Sequence, residues 1–166
     1  DPFFTTKTQG GTGLGLAISK KIVEEAGELL ETIDTQLKTW TDNPGDKKAL
    51  TEIRRAFHTI KGSGRLANVL DLSELAWKVE KMLNQAISGA VPVSEPMIKL
   101  VVSVRTQIPR IINALKRGHS IARNDEITRL MKLADILASE RRSAQIAAQV
   151  SAYAVPLGRS KGPPNA

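Results

Sequence analysis

The stretch Ala56-Phe57-His58-Thr59-Ile60-Lys61-Gly62-Ser63-Gly64-Arg65-Leu66 most limits what this chain can fold into, because its apolar residues repeat as in a helix although it carries two glycines. At about 100° per residue, Ile53, Ala56, Phe57, Ile60, Gly64 and Ala67 share one face, while His58, Lys61, Gly62 and Arg65 gather on the other. Such a helix has to bury its first face against neighbours, and it presents His58 to solvent. A glycine in a helix interior costs about 1 kcal/mol relative to alanine. Stability therefore does not explain Gly62, one turn after His58; removing the side chain there clears space over the imidazole.

The rest of the composition agrees with a helical protein. The 166 residues allow one ordinary domain with appendages, 41% are hydrophobic, and only 4% are aromatic. Leu, Ile, Ala and Val carry the apolar load, which suits helix-on-helix packing. We expect an all-α antiparallel bundle, with four helices forming the core and one more packed alongside. There is no cysteine and there are only two histidines, so neither a metal site nor a bound cofactor is expected. No apolar run approaches the roughly 18 residues of a membrane helix, the best stretch, Ile98 to Val104, being broken by Lys99 and Ser103. With no signal-peptide pattern at the start, a cytoplasmic protein with no membrane partner is the expectation. The net charge of +7 raises nucleic acid as a partner. The basic residues, however, are spread over helix surfaces and the tail (Arg141, Arg142, Arg159, Lys161), without interleaved aromatics. A basic face serves equally to dock an acidic protein surface.

Periodicity and turn chemistry divide the chain. Residues 1–18 read as a flexible leader, 19–138 as the bundle, and 139–166 as a helical extension with a disordered basic tail. The first helix is expected over Ser19 to Asp42, with Gly27 marking a seam, and Asn43-Pro44-Gly45 turns the chain. Asp46 caps a second helix that runs to about Ala67. Asp71-x-x-Glu74 reads as a capping box for a third helix to Ile87, with a stripe of Leu72, Leu75, Ala76, Val79, Leu83 and Ala86. Glu80 falls at the border of that stripe. A fourth helix runs from Ser94-Glu95-Pro96 to Lys116, bent by Pro109, and a fifth follows Asn124-Asp125 with Ile127, Leu130, Met131, Ala134 and Leu137 on its inner face.

The motif His58-x-x-Lys61-Gly62-Ser63, followed by a helix bearing Glu80, resembles the phospho-acceptor helix of a histidine phosphotransfer (HPt) domain of the chemotaxis and twitching-motility type, over roughly residues 24–138. The resemblance implies a phosphorelay intermediate. His58 would accept and donate a phosphoryl group, Glu80 would orient the ring, Lys61 would offer a cation to the phosphoryl oxygens, and Gly62, Ser63, Gly64 and Arg65 would provide access and docking. The implied partners are a histidine kinase catalytic domain and an aspartate receiver domain, and the chain would not be catalytic on its own. Where such domains often carry glycine after this helix, this chain has Asn68, the next most tolerant of a left-handed conformation.

The leader, with Asp1-Pro2-Phe3-Phe4-Thr5-Thr6-Lys7 and Gly11-x-Gly13-x-Gly15, resembles instead the glycine-rich ATP-lid segment of a histidine kinase catalytic domain. Gly11, Gly13 and Gly15 are thereby weak candidates for nucleotide phosphate. The asparagine helix and Asp-x-Gly-x-Gly turn that complete that site are missing. An ATP-binding fragment and a basic nucleic-acid binder remain the alternative functions. A His beside a Lys on an exposed face is usually only solvated, and His119, in an expected loop, keeps that reading. Trp77 covers the leader or a loop, or else flanks the docking surface, and Arg54 is a solvated charge or a partner contact.

Overall fold

The computed structural model describes residues 9–119 and 124–139, with side chains from Lys20 onward. Five helices follow one another: α1 (Gln9–Asp42), α2 (Lys47–Leu66), α3 (Leu70–Ser88), α4 (Glu95–Lys116) and α5 (Asp125–Leu137). No strand occurs among the described residues. Helix α1 packs on α2 and α4, α2 on α3, and α3 on α4, closing a ring of four, while α5 lies against α3 and α4. Neighbours in the ring run antiparallel. Glu25, halfway along α1, meets Ser63, late in α2; Asp34 of α1 takes a bidentate pair of 2.7 Å bonds from Arg105 of α4. This is the four-plus-one arrangement expected from the periodicity. Among the described residues no helix is long and apolar enough to cross a membrane.

The local signals that shape the central hairpin are visible in the caps. Asp46 accepts from the Ala49 amide at 3.0 Å and starts α2. At the other end, Asn68 takes φ 60°, the left-handed conformation expected of it. It closes a Schellman turn in which the Val69 amide donates to the Gly64 carbonyl at 2.7 Å and the Asn68 amide to that of Arg65 at 3.1 Å. The turn is short, so α3 lies directly beside α2. Asn124 caps α5 through the Ile127 amide at 2.8 Å.

Two expectations need correction. Helix α3 begins at Leu70 with Val69 in the cap position and no side-chain cap bond. Asp71 therefore sits in the first turn, favourably placed toward the helix dipole, rather than opening a capping box. Helix α1 begins at Gln9 instead of Ser19 and passes through Gly27, which is exposed. Gly11, Gly13 and Gly15 thus fall in the first turns of a helix rather than in a loop open to phosphate. Helix α4 runs through Pro109 to Lys116, the extent expected of it. The expectations for residues before Gln9, for Ser120 and for 140–166 lie outside the described residues.

The core is built from the predicted stripes, with one large addition. Trp40, in the last turn of α1, is fully buried. Lying next to the α1–α2 turn, it sits at that end of the core, and the sequence reading did not single it out. Trp40→Ala is expected to lower the unfolding free energy by about 3–5 kcal/mol, measured by urea denaturation. A loss below about 1 kcal/mol would show that this end of the bundle collapses around the deletion.

Candidate functional site

Helix α2 carries its core on one side through Ile53, Ala56, Phe57 and Ile60, all buried, which turns His58 outward with 61% of its side chain exposed. Glu80 reaches it from α3. Its Oε2 lies 2.7 Å from His58 Nδ1, and its Oε1 accepts from Lys61 Nζ at 2.7 Å. The sequence placed Glu80 at the border of its stripe; the structure buries it, leaving its side chain 9% exposed. One carboxylate thus bridges two residues a single helical turn apart on α2.

The electrostatics of this bridge follow from the partners. Burial pushes the Glu80 carboxyl up, but the hydrogen bonds from Lys61 and His58, together with the charges of both, outweigh it and hold Glu80 below its ordinary value. Glu80 is therefore ionised at neutral pH and can only accept hydrogen bonds. The short contact to His58 then requires the proton on Nδ1. This leaves Nε2, at the far edge of the ring, with its lone pair free in the neutral imidazole.

A chain with an outward imidazole in this tautomer matches the Hpt domain family over residues 18–118. It belongs to that family. The Hpt domain is the histidine phosphotransfer module of two-component signalling, and the matched span contains His58, Lys61 and Glu80 and ends before α5. The chain is 28% identical over 102 residues to chemotaxis protein CheA of Borreliella burgdorferi, which covers 61% of this chain and 12% of that protein. It is 33% identical over 84 residues to sensor histidine kinase CheAY of Helicobacter pylori, 51% of this chain and 10% of that one. To CheA of Listeria monocytogenes it is 21% identical over 96 residues, 58% of this chain and 16% of that protein. The chain thus spans between 10% and 16% of the length of these curated relatives. No solved structure matches it significantly.

The other residues singled out in the Hpt domain separate into two groups. Gly62 and Arg65 are exposed on the His58 side, and an added Cβ at Gly62 meets nothing within 4 Å. Gly64, by contrast, is buried against the start of α3, so it belongs to the packing and not to the open surface. Ser63 is half-buried and donates to Glu25 of α1. Lys61 is engaged with Glu80 and 20% exposed, so in this state its charge is shared with the carboxylate. Arg54 is half-buried on the turn before His58. Trp77 is 46% exposed on α3, with Lys78 and Lys81 ammonium groups 5.5 and 5.7 Å from its ring centre. Lys78 also pairs with Asp135 of α5 at 2.8 Å, tying the fifth helix to the site-bearing one. His119 is exposed just beyond the end of α4, where its amide donates to the Ala114 carbonyl at 2.9 Å. Among the described residues, no three His, Asp or Glu side chains gather as a metal site would need.

The lowered Glu80 carboxyl has a consequence for stability. A carboxylate whose folded value is depressed contributes stability that is complete above its unfolded value and is lost as pH falls through the folded one. Wild-type protein is therefore expected to lose stability on acidification below the ordinary glutamate value of 4.5. Glu80→Gln removes this component, so its acid profile should be flatter in urea denaturation at pH 7 and pH 3. Parallel profiles for the two proteins would refute the assignment.

Proposed function

We propose that His58 accepts a phosphoryl group on Nε2 from a histidine kinase catalytic domain and passes it to the aspartate of a receiver domain. The observation that carries this reading is the ionised Glu80 on Nδ1, which fixes the tautomer with an outward Nε2. The Nε2 lone pair attacks phosphorus and the bond from phosphorus to the donor oxygen breaks, the electron pair leaving with the donor. The Nδ1 proton stays on the ring, where Glu80 offsets the positive charge that develops. In the second transfer an aspartate oxygen of the receiver attacks phosphorus and the N–P bond breaks, returning the imidazole to its starting form.

Lys61 plays two parts in this reading. Its ammonium keeps Glu80 ionised, and its remaining N–H donors are free to meet phosphoryl oxygens, since an ammonium carries three. The partner's own acidic, metal-bearing site supplies most of the transition-state stabilisation, as positioning and electrostatics dominate phosphoryl transfer. The basic residues on the helix of His58, Arg54 and Arg65 among them, complement such an acidic surface.

The test is labelling with a kinase catalytic domain and radiolabelled ATP. The protein should take up phosphate that is labile in acid and stable in base, mapping to His58; an acid-stable label, or one on another residue, would overturn the proposal. Glu80→Gln should slow the transfer about tenfold, the rate equivalent of part of the roughly 1.5–3 kcal/mol of a hydrogen bond to a charged group.

A further inference from the structure

We infer that Gly64 and Ser73 lock the register of α2 against α3 and so place Glu80 on His58; both are positioning residues for the transfer proposed above, on which this inference rests. Gly64 is buried in α2, and a Cβ there would lie 3.1 Å from the Ser73 nitrogen, 3.3 Å from the Val69 carbonyl oxygen and 3.4 Å from the Ser73 Cα. All three are backbone atoms, which cannot rotate aside as a flexible side chain would. The spacing of the two helices at this point is therefore set by main chain against main chain.

Ser73 fixes the same place along the axis. It is 5% exposed, and its Oγ donates to the Lys61 carbonyl at 2.8 Å, a bond that crosses from α3 to α2. Its own amide donates to the Val69 carbonyl at 3.1 Å, and the Val69 amide donates to Gly64. Residues 61, 64, 69 and 73 are thus joined in one network. From Ser73 to Glu80 is two turns of α3, so both lie on one face about 10 Å apart along the axis. From Lys61 to His58 is one turn of α2. A slide or tilt of α3 at Ser73 is carried along a stiff helix to Glu80, whose two oxygens each hold a 2.7 Å bond to a different residue of α2. Neither Gly64 nor Ser73 touches the imidazole in any of these bonds, so their effect on it runs through Glu80.

Gly64→Ala and Ser73→Ala in the full chain test the lock, with Val101→Ala as a control. Val101 is fully buried in α4 and takes no part in the network. The readouts are the nitrogen-15 spectrum of the His58 ring, which reports the Nδ1-protonated fraction, and the initial transfer rate at varied donor concentration. Both lock variants should lose Nδ1-protonated tautomer. They should also transfer about three- to tenfold more slowly at saturating donor with KM unchanged, as small misplacements of a reacting group cost rate. Val101→Ala should lower the melting temperature and move neither readout. The inference is overturned if the lock variants keep the wild-type tautomer and rate, or if Val101→Ala shifts the ring spectrum as they do. Failure of the reading it rests on would look different: wild-type protein would carry no label on His58, while the ring spectra would still report whether the lock holds.

Discussion

His58→Gln is expected to abolish acid-labile labelling while shifting the melting temperature by no more than about 2 °C, because an exposed substitution outside the core stays within roughly 0.5 kcal/mol. The ring is 61% exposed, so little packing is lost with it. A glutamine amide can still donate an N–H to Glu80, which keeps the buried carboxylate partnered and avoids the cost of leaving it alone. What disappears is the nucleophile, since an amide nitrogen has no lone pair available for phosphorus. The loss should therefore be complete and not partial. His119→Gln provides the matched comparison and should label as the parent does. Acid-labile phosphate on His58→Gln would mean that the acceptor lies elsewhere in the chain.

How far the sequence disclosed this site depends on what kind of contact each residue makes. His58, Lys61 and Gly62 were legible because a helix face is a local property, fixed by spacing alone. Asp46 and Asn68 were legible for the same reason, since capping and left-handed turns are decided within a few residues. Glu80 was found as a neighbour of α2, but its burial was not, because the bridge to Lys61 that makes burial tolerable is a contact 19 residues away in the chain. Ser73 gave no signal at all: its partner is a backbone carbonyl, which every residue possesses. Gly64 did leave a trace, lying on the apolar face where a glycine has no solvent-side purpose, but the resemblance grouped it with the residues of access and docking, and its close approach to α3 appears only in the structure. Trp40 and the Lys78–Asp135 tie depend on which helices become neighbours, and α5 in particular lies beyond the span matched by the family.

Gly62 offers the test in which stability and function are expected to move in opposite directions. Replacing it with Ala should stabilise the bundle by about 0.5–1 kcal/mol, since an exposed helix glycine carries a conformational cost that alanine lacks. Leu should keep most of that gain, because its helix propensity is close to that of alanine. Neither substitution meets a steric obstacle at the Cβ, which has open space for 4 Å around it. Transfer should follow volume instead. Residues four apart lie side by side on a helix, so a leucine at position 62 stands over the edge of the imidazole that a partner's phosphoryl group must approach. Ala should slow transfer only slightly, and Leu by about a hundredfold, the scale on which displacing a reacting pair by an ångström costs rate. Urea denaturation and initial labelling rates on the three proteins give both quantities. A leucine variant that is more stable than the parent and transfers equally fast would show that the open space over His58 has nothing to do with access. One that is slow in proportion to lost stability would instead assign Gly62 to folding.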